Sequence, residues 1–336
     1  MESGASQRPA ASGQQPYHSP VMLTECIEAL QIKEDGTYVD ATFGGGGHSM
    51  AILEKLKTGR LISFDQDEDA KKQAELIQHR SFTFCQANFR YMKQYLKLHG
   101  ISKVDGVLAD LGISSHQIDS PERGFSTRFE GPLDMRMDRN AKLTAAKVLL
   151  EYPEEKLHKI FGMYGELKNA RTVAKLIATN RASTSMKTTQ ELKSLLMEVA
   201  PRGKENKYFA QVFQALRIEV NQEMQALEDF LHQCGDVISS PAGEAAVGVP
   251  PLGVRGPGGG RLVIMSYHSL EDRMVKNYIN TGKIYGEVEK DFFGNQLKPF
   301  EAVNRKPIEA SEEEVSTNNR ARSAKLRIAK KLLVKR

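Results

Sequence analysis

The chain of 336 residues has no tryptophan and only three cysteines, Cys26, Cys85 and Cys234, which stand far apart and form no CxxC pair. A chain this long can bury a sizeable core without a disulfide framework. Without paired thiolates it has no zinc finger or ribbon spacing, and no metal site is expected. No apolar run approaches the ~20 residues of a membrane helix. The first sixteen residues lack the apolar centre of a signal peptide, and Arg8 is their only base, a poor fit to a mitochondrial transit segment. A cytosolic protein with no membrane partner is expected. Charge of one sign is also missing: 47 Lys and Arg against 42 Asp and Glu leave a net +5. That balance is compatible with a polyanionic partner and does not establish one.

What is present is an alternation. Residues 1–16, rich in Ser, Gly, Gln and Pro, are expected to be a disordered tail. From Tyr17 on, strands expected at 37–43, 60–65, 82–86 and 104–110 alternate with helices at 49–56, 69–80 and 91–99. This rhythm means βαβ units and a parallel sheet, with ligands at the carboxyl ends of the strands. After residue 117 the strands stop. A polar loop over 119–140 leads into helices at 144–151, 154–163, 168–181 and 189–199, the last opened by a Thr188/Glu191 capping box. Residues 118–208 therefore read as a helical subdomain inserted into an α/β domain made of 17–117 and 209–336. One long helix is expected over 209–233, with Phe209, Phe213, Leu216, Val220, Leu227 and Leu231 on one face. Residues 239–260 read as a flexible Gly/Pro-rich loop, and 261–266 (RLVIMS) as a buried strand.

Four segments carry chemistry. Asp40-Ala-Thr-Phe-Gly-Gly-Gly-Gly-His48 joins a strand to a helix, where glycines let backbone approach a ligand beside the positive helix end. Such turns serve NAD, FAD, nucleotides and S-adenosylmethionine alike, or simply turn. Asp65, ending the second strand, can accept both ribose hydroxyls of a nucleoside; Asp67 is its neighbour and competitor, better suited to solvent or to helix capping. Phe89 can pack on an adenine face or in the core. FGGGGHS fits the dinucleotide spacing GxGxxG only loosely, so a nucleoside cofactor is favoured, with a nicotinamide-dependent oxidoreductase as the alternative. Asp110-Leu-Gly-Ile-Ser-Ser-His-Gln117 leaves the fourth strand; Asp110, supported by Ser114, is placed to orient a reacting amine or merely to bind the cofactor. Ser266-Tyr-His268-Ser-Leu-Glu-Asp-Arg273 follows the late strand, and His268 is either a base or a structural histidine. The end of the chain, 318–336, holds eight Lys and Arg and no acid, suited to RNA phosphates or to a solvated tail.

These strings, with Arg123-Gly-Phe-Ser, Pro132-Leu-Asp-Met-Arg-Met, Tyr164-Gly-Glu, Phe213-Gln-Ala-Leu-Arg-Ile and Arg322-Ser-Ala-Lys-Leu-Arg, occur in one order from about His18 to Arg327. In them the chain resembles the MraW/RsmH family of bacterial methyltransferases, which methylate N4 of a decoding-region cytidine in 16S rRNA. The resemblance implies a class I S-adenosylmethionine-dependent methyltransferase sheet with an inserted helical subdomain. It implies Gly46, Gly47, His48, Asp65, Phe89, Asp110 and Gln117 as cofactor contacts, the last from the resemblance alone. The implied partner is 16S rRNA or the small ribosomal subunit, in the bacterial cytoplasm. A cofactor-binding assembly factor without turnover is the third reading. Departures are Lys207-Tyr-Phe-Ala where the family often shows His-Pro-Ala, Asn319 in place of a usual Pro, and the 239–260 stretch, which looks inserted.

Overall fold

Continuous apolar runs such as LISF, VLA and LVIM suit strands buried on both faces, because a parallel sheet is covered by helices on each side. The computed structural model, which describes residues 20–241 and 259–333, bears this out. Its strands are β1 (Thr37–Asp40), β2 (Arg60–Asp65), β3 (Phe82–Gln86), β4 (Gly106–Asp110), β5 (Arg261–Ser266), β6 (Phe300–Ala302), β7 (Ile308–Glu309) and β8 (Lys325–Lys331). They form one sheet in the order β3-β2-β1-β4-β5-β8-β6, with β7 also on β8. The first five run parallel, and β8 enters antiparallel beside β5. Residues 1–19, 242–258 and 334–336, which include the expected tail and most of the expected loop, lie outside the described residues.

The helices are α1 (Leu23–Leu30), α2 (Gly47–Leu53), α3 (Glu68–Ala74), α4 (Met92–Leu98), α5 (Ser115–Asp119), α6 (Ala145–Glu151), α7 (Glu154–Met163), α8 (Ala170–Asn180), α9 (Thr189–Leu196), α10 (Glu205–Asn221), α11 (Glu223–Val237), α12 (Ser269–Thr281) and α13 (Glu312–Thr317). Strand side chains alternate between two cores. Val107, Ala109, Leu262 and Ile264 face Leu96 of α4, Phe230 and Cys234 of α11, and Val275 of α12. Leu108, Val263 and Met265 face Cys26 and Leu30 of α1 and Ile52 of α2. A third core belongs to the helical block alone and runs from Phe125 to Val220, joining Leu149, Phe161, Ile177, Leu196 and Phe213. The capping box expected at Thr188 and Glu191 is present at the start of α9.

Two expectations need correction. The single helix over 209–233 is two helices, α10 and α11, broken at Gln222, whose φ of 52° is left-handed. The reason is that one stripe serves two cores: Val212, Phe213 and Leu216 bury in the helical block, whereas Leu227, Phe230 and Leu231 bury against the sheet. The basic end is not a solvated tail either, for its residues 325–331 form β8 inside the sheet. There Leu326 and Ile328 fill a core while Arg327 reaches Asp272 of α12 at 2.6 and 3.0 Å. Long basic stems bury well when the charged head finds a partner.

The polar loop after α5 is stitched down by one residue. Arg123, only 4% exposed, donates to Asp67 at 2.7 and 3.2 Å, to Asp69 at 3.2 Å, and to the carbonyls of Arg136 and Met137. Asp67 is equally buried, so removing the guanidinium strands a charge away from water. We predict that Arg123→Met lowers unfolding stability by about 3–5 kcal/mol. The double variant with Asp67→Asn should recover a large part of that loss. Urea denaturation of the three proteins checks it; equal loss in the single and double variants would contradict the pairing.

Candidate active site

The carboxyl ends of β1, β2 and β4 surround a cavity of about 550 Å³. Its floor is the turn from β1 into α2. Gly44 (φ 52°) and Gly46 (φ 81°) take left-handed conformations that favour glycine, and the Gly44 N–H donates to Asp65 at 2.8 Å. A Cβ on Gly47 would lie 2.1 Å from Pro20, itself on the cavity wall, so this wall has no room for a side chain there. Asp40 is fully buried beneath the turn, accepting from Ser49 at 2.6 Å, and does not line the cavity.

Of the residues expected to contact the cofactor, Gly47, His48, Asp65, Phe89, Asp110 and Gln117 line this one cavity, and Gly46 does not. Asp65 accepts from the backbone N–H groups of Gly44 and Asp67, at 2.8 and 2.9 Å. Phe89 lies edge-on to Phe230 of α11, with centroids 5.1 Å apart. His48 contacts the carbonyl of Val21 at 3.2 Å, and burial lowers its pKa, which favours neutral imidazole. Of the two roles expected for Asp67, solvent or helix cap, it takes the cap: it is buried at the start of α3 on the cavity wall and is bound by Arg123 and Gln117.

The three residues expected to be catalytic are not brought together. Asp110 ends β4 on the cavity wall, where its backbone N–H donates to Thr42 Oγ1 at 2.6 Å and its Oδ1 accepts from the Tyr267 hydroxyl at 2.6 Å. Ser114 also lines the cavity, but its hydroxyl caps α5, accepting from the Gln117 N–H, while Gln117 closes the box in return. Gln117 then donates to Asp67 at 2.7 Å. His268 sits outside the cavity wall as the N-cap of α12, its Nε2 3.1 Å from Glu271 Oε1. Sequence reasoning missed Tyr267, the neighbour of His268, although it stood in a quoted string. It missed Arg217 too, which stood in the quoted string Phe213-Gln-Ala-Leu-Arg-Ile but was given no role. Asn319 and Arg320, also on the wall, come from the segment before β8. Arg320 bonds Ser115 and reaches Asp119 at 2.6 Å, closing that side.

A parallel sheet with one late antiparallel strand beside β5, a glycine turn after β1 and an acid at the end of β2 define the class I S-adenosylmethionine-dependent methyltransferase fold. Within that class, the sequence pattern of the MraW methylase family matches residues 15–247 and 257–332, and the chain belongs to that family. It is 54% identical over 315 residues to "Ribosomal RNA small subunit methyltransferase H" of Cytophaga hutchinsonii, covering 94% of this chain and 99% of that protein. It is 50% identical over 322 residues to the protein of the same name from Phocaeicola vulgatus, covering 96% and 99% respectively.

The site is electrostatically tense. Burial pushes Asp110 from 3.8 up to about 6, opposed by His48 and by the Tyr267 hydrogen bond. Burial likewise lifts Asp65 and Asp40 to about 6. A carboxyl whose pKa is raised on folding favours the folded state most when protonated. Its penalty therefore sets in as pH rises from 3.8 to about 6 and stays constant above. Asp110→Asn removes that penalty, and we predict that it raises stability at pH 7.5 by on the order of 1–2 kcal/mol while impairing activity. In the unmodified protein, kcat/KM should fall as pH drops through about 6 and the carboxylate is neutralised. Thermal melts and a pH–rate profile check both; a destabilised Asp110→Asn protein would sink the electrostatic account.

Proposed function

We propose that this protein transfers a methyl group from S-adenosylmethionine to N4 of a cytidine in the decoding region of 16S rRNA, in the bacterial cytoplasm. The observation that carries the reading is the placement of Asp110. Its Oδ1 is held by Tyr267 and its Oδ2 makes no hydrogen bond among the described residues, on the wall of the cavity that also holds the glycine turn and Asp65. The names of the related proteins support a small-subunit rRNA substrate.

The donor set fits the cofactor by its chemistry. Asp65 offers acceptors to ribose hydroxyls, Phe89 an apolar face to the adenine, and Gly47 and the neutral His48 close backbone approach. Gln117 donates to Asp67 on the same wall. When bound, S-adenosylmethionine supplies a methyl group made electrophilic by its sulfonium. The protein's part is to position the nucleophile. Cytosine N4 is a weak nucleophile because its lone pair delocalises into the ring; Asp110 accepts a hydrogen bond from the amine, aims it, and takes up positive charge as it develops. Tyr267 fixes the carboxylate's orientation. Ser114 shapes the α5 turn, and His268 supports Tyr267 from behind through Glu271, which accepts from the Tyr267 N–H at 2.9 Å. Residues 118–208 and the basic segment before and within β8 hold the RNA, whose target base must be unstacked to enter the cavity.

The test is transfer of labelled methyl from S-adenosylmethionine to small ribosomal subunits from a strain lacking the gene, followed by nucleoside mass spectrometry. N4-methylcytidine is expected only with enzyme, and Asp110→Ala should reduce it by more than about 100-fold with the fold intact. An active Asp110→Ala protein would remove Asp110 from the mechanism. No transfer to subunits, naked rRNA or assembly intermediates would point instead to an assembly factor.

A further inference from the structure

Arg217 is the only residue of helices α6–α10 on the cavity wall. It stands in the last turns of α10, just before the break at Gln222. Its Nε and Nη2 donate to Oε1 and Oε2 of Glu223, both at 2.9 Å, in the fork-to-carboxylate geometry that guanidinium favours. The break makes this possible, because it turns the first residue of α11 back toward the last turns of α10. Behind Glu223 lie His268 and Glu271: one ligand-type atom from each of the three residues falls within 4.8 Å of the other two. Burial pushes Glu271 upward, but His268 and Arg217 outweigh it and hold its carboxyl below the usual range. The guanidinium is thus clamped on one side and its charge is answered. Nη1, by contrast, makes no hydrogen bond among the described residues, and Arg217 lies on the cavity wall.

Cytosine presents three groups in a row on its pairing edge: the N4 amine, which donates, and N3 and O2, which accept. The cavity offers the matching set, an acceptor in Asp110 Oδ2 and donors in Arg217 Nη1. Adenine also carries an amine beside a ring acceptor, but has C–H where cytosine has O2. Uracil has no amine and places an N–H donor against the guanidinium. We propose that Arg217 reads N3 and O2 of the target cytosine while Asp110 holds its amine, so that the helical block supplies the base-selecting group of the site. This rests on the cytosine reading given above. It also assigns the Glu223, His268 and Glu271 cluster: Glu223 fixes the guanidinium, and the other two buttress Glu223 at the start of α12.

The experiment uses small subunits assembled on 16S rRNA carrying either cytidine or 3-deazacytidine, which lacks the N3 acceptor, at the methylated position. The intact enzyme should lose about 10-fold or more in kcat/KM on the deaza RNA. Arg217→Met should be about 10- to 100-fold slower on cytidine yet treat the two RNAs alike within about 2-fold. Its calorimetric affinity for S-adenosylmethionine should be unchanged. Should Arg217→Met not fold, Arg217→Lys and Glu223→Gln, which loosen the fork without removing a buried partner outright, should each narrow the discrimination. Wild-type discrimination retained in these variants overturns the inference alone. Loss of S-adenosylmethionine binding also overturns it, because the guanidinium then serves the cofactor's carboxylate. Failure of the intact enzyme to methylate either RNA overturns the cytosine reading and this inference together.

Discussion

Asp67 is the residue on which the arrangement of the molecule turns. It follows the last residue of β2 by two positions, caps α3, and is 4% exposed with a full carboxylate to satisfy. An unpartnered charge at that depth costs several kcal/mol. Two side-chain donors answer it from either side of the point where the insertion begins, Gln117 on α5 and Arg123 in the loop beyond. Arg123 goes on to bind the carbonyls of Arg136 and Met137, while Met137 N–H donates to Asn221 at the end of α10. One buried acid of the α/β domain thereby fixes where the helical block leaves the sheet and where it returns. The cavity lies between those two points, so the same pairs that hold the chain together also set the distance between the wall bearing Asp65 and the wall bearing Arg217.

The second constraint is the price of carboxylates placed at strand ends. Asp40, Asp65 and Asp110 crowd the open edge of the sheet, and burial raises each. Only Asp40 is fully absorbed by the fold, through Ser49 and the Thr42 N–H. Asp65 and Asp110 keep acceptor capacity directed at the cavity. This is the pattern expected where a fold gives up stability to pre-organise a binding site, because a ligand bearing hydroxyls and a cationic centre stabilises such carboxylates. It also explains why Tyr267 bonds Asp110: a single neutral donor steadies the carboxylate without discharging it.

Much of this was legible in the sequence for a simple reason. The strand runs are apolar and short, and β1, β2 and β4 each end on an Asp, so Asp65 and Asp110 could be placed at strand ends from the sequence. β2, β3 and β5 were placed to the residue. What was not legible involved two partners distant in the chain. The stripe over 209–233 is continuous in sequence, and nothing in Gln222 announces a left-handed break; the break follows from two cores lying in different directions. The basic end looked like a phosphate-binding tail because its charges are dense, yet within 325–331 Leu326 and Ile328 stand at alternate positions between the bases. Among described residues the strand is read only once Asp272 is known to receive Arg327. Ser114 and His268 were singled out as polar groups near strand ends, Gln117 from the resemblance alone, and all three are caps or cap partners. Polar residues at strand-to-helix turns serve the helix first, because its unpaired N–H groups are always there to be met.

That ordering of demands explains the division of labour in the site. The strand ends provide acceptors, since β1, β2 and β4 finish on acids and the turns after them consume the nearby hydroxyls and amides as caps. Donors on the opposite wall must come from another element. The sheet has none free at β5, where Tyr267 is committed to Asp110 and the following helix start to Glu271. A long side chain from outside the sheet is needed, and α10 ends close enough to deliver one only because the chain breaks at Gln222 and brings Glu223 round to hold it. The helices packed beside the sheet thus bring Arg217 to the cavity wall. They complete a hydrogen-bonding surface that a bare methyltransferase sheet, with acids at its strand ends, leaves one-sided.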